Sequence, residues 1–117
     1  MKFTTLQSSP LLMVISVVAL SLALVPAQAQ TAPDGTALYK TKCAMCHGPD
    51  GTGKTPAGLK LKVRDLQSPE VQKQSDSDLA AGIAKGKDKM PAFGKTLNDD
   101  QIKAVVAQIR ELGKNKK

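Results

Sequence analysis

Aromatic side chains are nearly missing: the 117 residues hold no tryptophan, one tyrosine and two phenylalanines. Phe3, Tyr39 and Phe93 cannot fill the centre of a large core, so the chain builds one small domain at most and a multidomain enzyme is excluded. Histidine is down to one, His47, and cysteine to two, Cys43 and Cys46. A structural zinc site wants four such ligands, and only three exist, two of them neighbours in sequence. No strand pattern of useful length occurs, which removes the βαβ setting expected of a Cys-x-x-Cys redox motif. Basic residues interleaved with aromatics do not occur either, so nucleic-acid binding is a poor reading.

Charge is also absent from the beginning of the chain, where Lys2 is the only charged residue before Asp34. What stands there instead is the apolar stretch Leu11–Val25, followed by Pro26 and the small-residue triplet Ala27-Gln28-Ala29. Charged start, apolar middle and A-x-A site are the order of a secretory signal peptide. Fifteen residues fall short of the roughly 20 that a bilayer span needs, so a permanent membrane anchor is the weaker reading. The order predicts a signal peptide over 1–29, cleaved after Ala29, and a mature domain over 30–117 in the periplasm. Of the 17 basic residues Lys2 leaves with the leader, so 16 bases face 10 acids in the mature chain. A chain of that size often needs a staple such as a disulfide, a metal or a bound cofactor.

Helical signals punctuate the mature part. Asp34 is placed to cap a helix running through Leu38 and Tyr39 toward Cys43. The cluster Gly48-Pro49-Asp50-Gly51-Thr52-Gly53, continued by Pro56, Gly58, Lys60 and Lys62, predicts an irregular solvated loop. A second helix is predicted over Ser77–Lys85, with Ser75 or Ser77 at its start and Gly86 past its end. The strongest pattern is the last: Asn98 and Gln101 form a capping box, Leu97 is set to staple against Ile102, and Ile102, Val105, Val106, Ile109 and Leu112 fall on one face. Gly113 is expected to end that helix, with a solvated lysine tail beyond.

Cys43-Ala44-Met45-Cys46-His47 has the spacing of c-type haem attachment. Two thiols one helical turn apart reach the two vinyl groups of one porphyrin, and the next residue projects an imidazole at the iron. A single histidine excludes bis-histidine ligation and a second haem. The bland alternative is an ordinary disulfide, which an oxidising compartment favours. A second axial ligand from a thioether raises the reduction potential. Met1 and Met13 leave with the leader and Met45 is held between the thiols, so Met90, in a loop stiffened by Pro91, is the candidate. The alternative for Met90 is core filler.

Residues 34–112 resemble the class I cytochromes c, close to the small single-haem bacterial and photosynthetic carriers. The resemblance rests on Asp34-Gly35 through Tyr39, on Cys43–Gly48, on Met90-Pro91-Ala92-Phe93 and on the Leu97–Leu112 helix. It implies an all-α cytochrome c fold of three to five short helices and long loops around one haem, with the first and last helices crossing near Gly35. It implies one covalently attached haem c, with Cys43 and Cys46 as thioethers and His47 and Met90 as axial ligands of its iron. Gln108 stands in the last helix where the family often has an aromatic residue.

The implied function is single-electron transfer between respiratory or photosynthetic redox partners by a monomer with no substrate chemistry of its own. Tyr39, Leu59, Leu66, Ile83 and Phe93 are expected to keep water from the haem. Lys85, Lys87, Lys89 and Lys95 bracket Met90, and Lys40, Lys42 and Lys54 flank the attachment motif; together they either steer an acidic partner or simply solvate a small protein. Two rivals remain: a peroxidase or small-ligand sensor with a labile Met90, and a membrane-tethered subunit of an oxidase or dehydrogenase.

Overall fold

The carboxylate of Asp34 accepts hydrogen bonds from the backbone N–H groups of Thr36 and Ala37, at 2.9 and 3.2 Å, and so starts the first helix, α1 (Gly35–Lys42). A computed structural model describes residues 31–115. The expected signal peptide over 1–29 and the tail residues Lys116 and Lys117 lie outside the described residues. Cys43 ends α1, and the single turn α2 (Ala44–His47) follows at once. After α2 come α3 (Pro56–Leu61), α4 (Pro69–Gln72), α5 (Asp76–Lys85) and α6 (Asp99–Lys114). Among the described residues the only extended pairing is an isolated bridge between Lys87 and Met90.

The last helix follows its sequence pattern closely. Asn98 accepts from Gln101 N–H at 2.9 Å while the Gln101 side chain accepts from Asn98 N–H at 3.0 Å, closing the capping box. Ile102, Val105, Val106, Ile109 and Leu112 are all buried, with Leu97, Tyr39, Val71 and Ile83 completing the core. Each such side chain, fully buried, supplies about 1.5–3 kcal/mol, so this stripe is the main apolar contribution to the fold. α6 packs chiefly across α1 and secondarily against α5.

The crossing of α1 and α6 falls at Gly35, where a Cβ would run into the backbone carbonyl of Ala104. One turn on, Thr36 Oγ1 donates to Gln108 Oε1 at 2.9 Å. Gln108, expected from the resemblance to stand in an aromatic's place, thus makes a polar tie across the crossing.

Three local expectations change. Thr55 and Ser68 cap α3 and α4, each with proline at the first helical position; α3 falls inside the segment expected to be an irregular loop, and α4 in a stretch for which no element was expected. Ser/Thr-Pro starts a helix well, but runs of six and four residues are too short to show an apolar period. With these two, the described residues hold six helical segments where three to five were expected, on an all-α fold as expected. Gly113 does not end α6, which continues to Lys114 with Asn115 as its cap. It is absent from the positive-φ glycines, and a side chain there would collide with the Gln72 amide, so it serves a close approach rather than a stop.

Replacing Gly35 by alanine should lower stability by about 1–3 kcal/mol, as forced overpacking against a backbone atom does. Gly113→Ala should cost clearly less, because the helical preference of alanine offsets displacement of a movable side chain. Denaturant unfolding of both variants checks the order.

Candidate haem site

Cys43 is where α1 stops and α2 begins: its N–H donates to Tyr39 O at 2.9 Å, and its own carbonyl accepts from Cys46 N–H at 3.2 Å and His47 N–H at 3.0 Å. The single turn that results carries Cys43 and Cys46 three residues apart, which puts them on one face. Both are half-buried free thiols. Burial pushes the Cys43 thiol up to about 11, so it is a protonated thiol at neutral pH. Met45 between them points outward and is 80% exposed.

The exit from α2 is tied down on several sides. Tyr39, 2% exposed, donates its hydroxyl to Gly48 O at 2.8 Å. Gly53 N–H donates to His47 O at 2.7 Å. Thr55 Oγ1 lies 2.9 Å from the carbonyl oxygens of both Met45 and Cys46 and accepts from Gly58 N–H, so one hydroxyl joins the attachment turn to α3. Burial holds the Tyr39 phenol far above its ordinary range, with Cys43 and Asp50 adding to the shift.

His47 and Met90 line one cavity of about 190 Å³, open on one side. Its walls come from Leu61 at the end of α3 with Lys62, Val63 and Arg64 after it, Val71 and Gln74 around α4, Asp78, Leu79, Gly82 and Ile83 of α5, and Ile109 of α6. Nδ1 of His47 is buried and has no hydrogen-bond partner. Desolvation lowers the imidazole pKa, and the nearby Arg64 backbone works weakly the other way without making a well-formed hydrogen bond. A neutral imidazole is the form that binds a metal.

Met90 reaches the cavity on a tight turn. Lys87 and Met90 exchange backbone hydrogen bonds, at 3.2 and 2.8 Å, across Asp88 and Lys89, with Asp88 held at φ 53. Phe93 N–H to Ile83 O and Gly94 N–H to Ala84 O, both 3.0 Å, then fasten the returning chain to the end of α5.

Several expectations about the surroundings change. Leu59, expected to shield the site, is 66% exposed, because α3 turns the adjacent Gly58 inward against the Cys46 carbonyl. Tyr39 is buried in the core between α1 and α6, and Leu66 and Phe93 are partly buried against that core. Of the basic residues named, Lys87 and Lys89 border the cavity, joined by Lys62, expected to lie in a solvated loop, and by Arg64, which no motif marks. Gln74 and Asp78 at the same mouth carry no motif by which they could have been found.

Helices α1 and α6 that cross at Gly35, a one-turn Cys-x-x-Cys-His segment directly after α1 and a slot beside the histidine are the architecture of a c-type cytochrome domain. The chain belongs to that family: residues 30–109 match the family described as cytochrome c oxidase, cbb3-type, subunit III. It is 33% identical over 84 residues to a cytochrome c6 of Aphanizomenon flos-aquae, covering 69% of this chain and 90% of the relative. A cytochrome c6 of Nostoc sp. is 34% identical over 89 residues, 76% of either chain. Among solved structures, the KustC0563 c-type cytochrome superposes with a TM-score of 0.63 at 34% identity, over 68% of this chain and 96% of that one. The cofactor of the family is covalently attached haem c, and its business is electron transport. Two free thiols one turn apart, a neutral imidazole with an enclosed Nδ1 and an open-sided slot beside it are groups that fit such a cofactor.

Tyr39 is the only tyrosine, so its ionisation can be followed alone. Its raised pKa means that the stability it carries is fully present below pH 10, its ordinary value, and is lost as pH climbs above it. An alkaline absorbance titration should show no phenolate near pH 10 and its appearance only together with unfolding. Tyr39→Phe should cost about 1 kcal/mol at neutral pH for the lost hydrogen bond and reduce the alkaline sensitivity.

Proposed function

We propose that the chain is an exported one-electron carrier in which Cys43 and Cys46 hold the haem through thioether bonds and His47 and Met90 are its two axial ligands. The observation that carries this reading is that His47 and Met90, 43 residues apart in the chain, line the same cavity. Because Nδ1 of His47 is enclosed, Nε2 is the nitrogen left to bind. When bound, the haem supplies an iron couple that accepts and releases one electron.

The protein's part is to keep the surroundings still. Met90 is held by a closed turn fastened to α5, and His47 by a turn fastened to Tyr39 and Thr55. Rigid ligands change little between oxidation states, and apolar walls such as Val71, Leu79, Ile83 and Ile109 limit water, which tunes the potential. With both His47 and Met90 held as ligands, no position would be left on the iron for a substrate, which favours electron transfer over peroxide chemistry or ligand sensing.

The partner is a redox protein with an acidic docking face. Lys62, Arg64, Lys87 and Lys89 border the cavity against Asp78 and Asp88, and the exposed Met45 and Leu59 lie on the attachment turn and on α3 beside it. Lysines speed encounter and a small apolar contact lets the complex part after each transfer. The family description supports a second reading, a domain tethered as an oxidase subunit with its leader retained. Mass spectrometry separates the two, since tethering leaves residues 1–29 in place.

An optical spectrum is the deciding test. The oxidised protein should show the weak near-infrared band of a methionine–iron bond; Met90→Ala should abolish it, lower the potential and let the reduced form bind carbon monoxide. A wild-type protein without that band sinks the His47/Met90 assignment. With an acidic redox partner at low salt, Lys87→Glu/Lys89→Glu should slow transfer on the order of tenfold and flatten its salt dependence.

A further inference from the structure

Arg110 sits on α6, outside the cavity wall, yet it makes more polar contacts than any other side chain among the described residues. Nη1 donates to Gln72 O at 2.9 Å, Nη2 to Gln74 O at 2.6 Å, and Nε and Nη2 to Asp76 Oδ1 at 2.9 and 2.7 Å. All three partners belong to the elbow between α4 and α5. The Gln72 side chain adds a parallel strap, its Nε2 donating to Leu66 O at 2.7 Å and Ile109 O at 3.1 Å. The Arg110 side chain is 24% exposed while that of Asp76 is 74% exposed, so the contact is a partly enclosed clamp and more than a surface ion pair.

We propose that Arg110 is a positioning residue for Met90. The elbow carries Gln74, part of the cavity wall, and leads directly into α5, which supplies Asp78, Leu79, Gly82 and Ile83 to the same wall. The far end of α5 holds the Met90 turn through the carbonyls of Ile83 and Ala84. α5 is therefore a ten-residue lever, pinned by Arg110 at its start and carrying Met90 at its end. A planar guanidinium reaches two carbonyls and a carboxylate at once, which an ammonium cannot do in one place. Releasing the start of α5 gives the Met90 turn room to swing away and opens the cavity beside it.

The proposal rests on Met90 being an iron ligand, and the test separates the two. Haem-loaded Arg110→Ala, Arg110→Lys and Asp76→Asn proteins are compared with wild type for the near-infrared methionine band, for carbon monoxide uptake by the reduced form and for thermal unfolding. Arg110→Ala should take up carbon monoxide faster on the order of tenfold, the factor that losing a charge-assisted hydrogen bond puts into an opening equilibrium. Its band should bleach at denaturant concentrations where the helices are still intact. Arg110→Lys should behave similarly despite its kept charge, and Asp76→Asn should fall between it and wild type. A lower unfolding temperature with uptake and band unchanged means that Arg110 only stabilises the fold, and it overturns the proposal. Should Arg110→Ala fail to mature, Arg110→Lys decides: wild-type uptake and band overturn the proposal, faster uptake supports it. A wild-type protein lacking the band overturns the ligand assignment, and this proposal with it.

Discussion

The backbone of α1 touches the backbone of α6 at Gly35 and Ala104, with no room for a side chain between them. That approach sets the position of everything that follows in α1. Tyr39, one turn further on, is drawn fully into the core against α6, and its hydroxyl then reaches the carbonyl of Gly48. The exit of the Cys43–His47 turn is thereby fixed to the helix crossing. Polar ties follow the same line: Thr36 to Gln108 across the crossing, Thr55 from the attachment turn to α3. The site is thus held by backbone closeness on one side and a few hydrogen bonds on the other, in a chain with few aromatics to do the work by bulk.

Electrostatics around His47 depend on the same enclosure. Removing water from the imidazole lowers its pKa, and the adjoining Arg64 backbone offsets only part of that shift. The consequence is a neutral ring with one nitrogen closed off and the other available. The basic residues that border the cavity, Lys62, Arg64, Lys87 and Lys89, are exposed to solvent, where water and salt screen their effect on the ring.

Much of this was legible in the residues themselves. The caps at Asp34, Ser75 and Asn98, the buried stripe of α6 and the Cys43–His47 spacing all depend on contacts within a few positions, so the sequence displays them directly. Met90 was singled out by elimination among four methionines, by its loop with Pro91 and by resemblance, and the structure puts it on the same cavity wall as His47. What stayed hidden depends on distant approach. Gly113 looked like a helix stop because its reason, the side chain of Gln72, lies some forty residues away. Arg110 falls off the apolar stripe of its helix, and nothing near it in the sequence reveals that the 72–76 elbow would fold beneath it. Leu59 counted as core by its chemistry alone, whereas the short helix that turns it outward is too brief to leave a period.

The Thr36–Gln108 contact spans 72 residues, whereas the hydrogen bonds that make the Cys43–His47 turn span three or four. Loop-closure entropy makes the short-range turn quick to form and the long-range crossing slow, because nearly the whole domain must be available before α6 can find α1. The topology therefore leaves the Cys43–His47 segment reachable while α6 has yet to arrive, and the turn gains its fixed exit only when Tyr39 is buried against that helix. For a fold whose cofactor is joined through covalent bonds, a late α6 prolongs the interval in which both thiols are open to that reaction, so the contact order of the crossing bears on maturation as well as on stability.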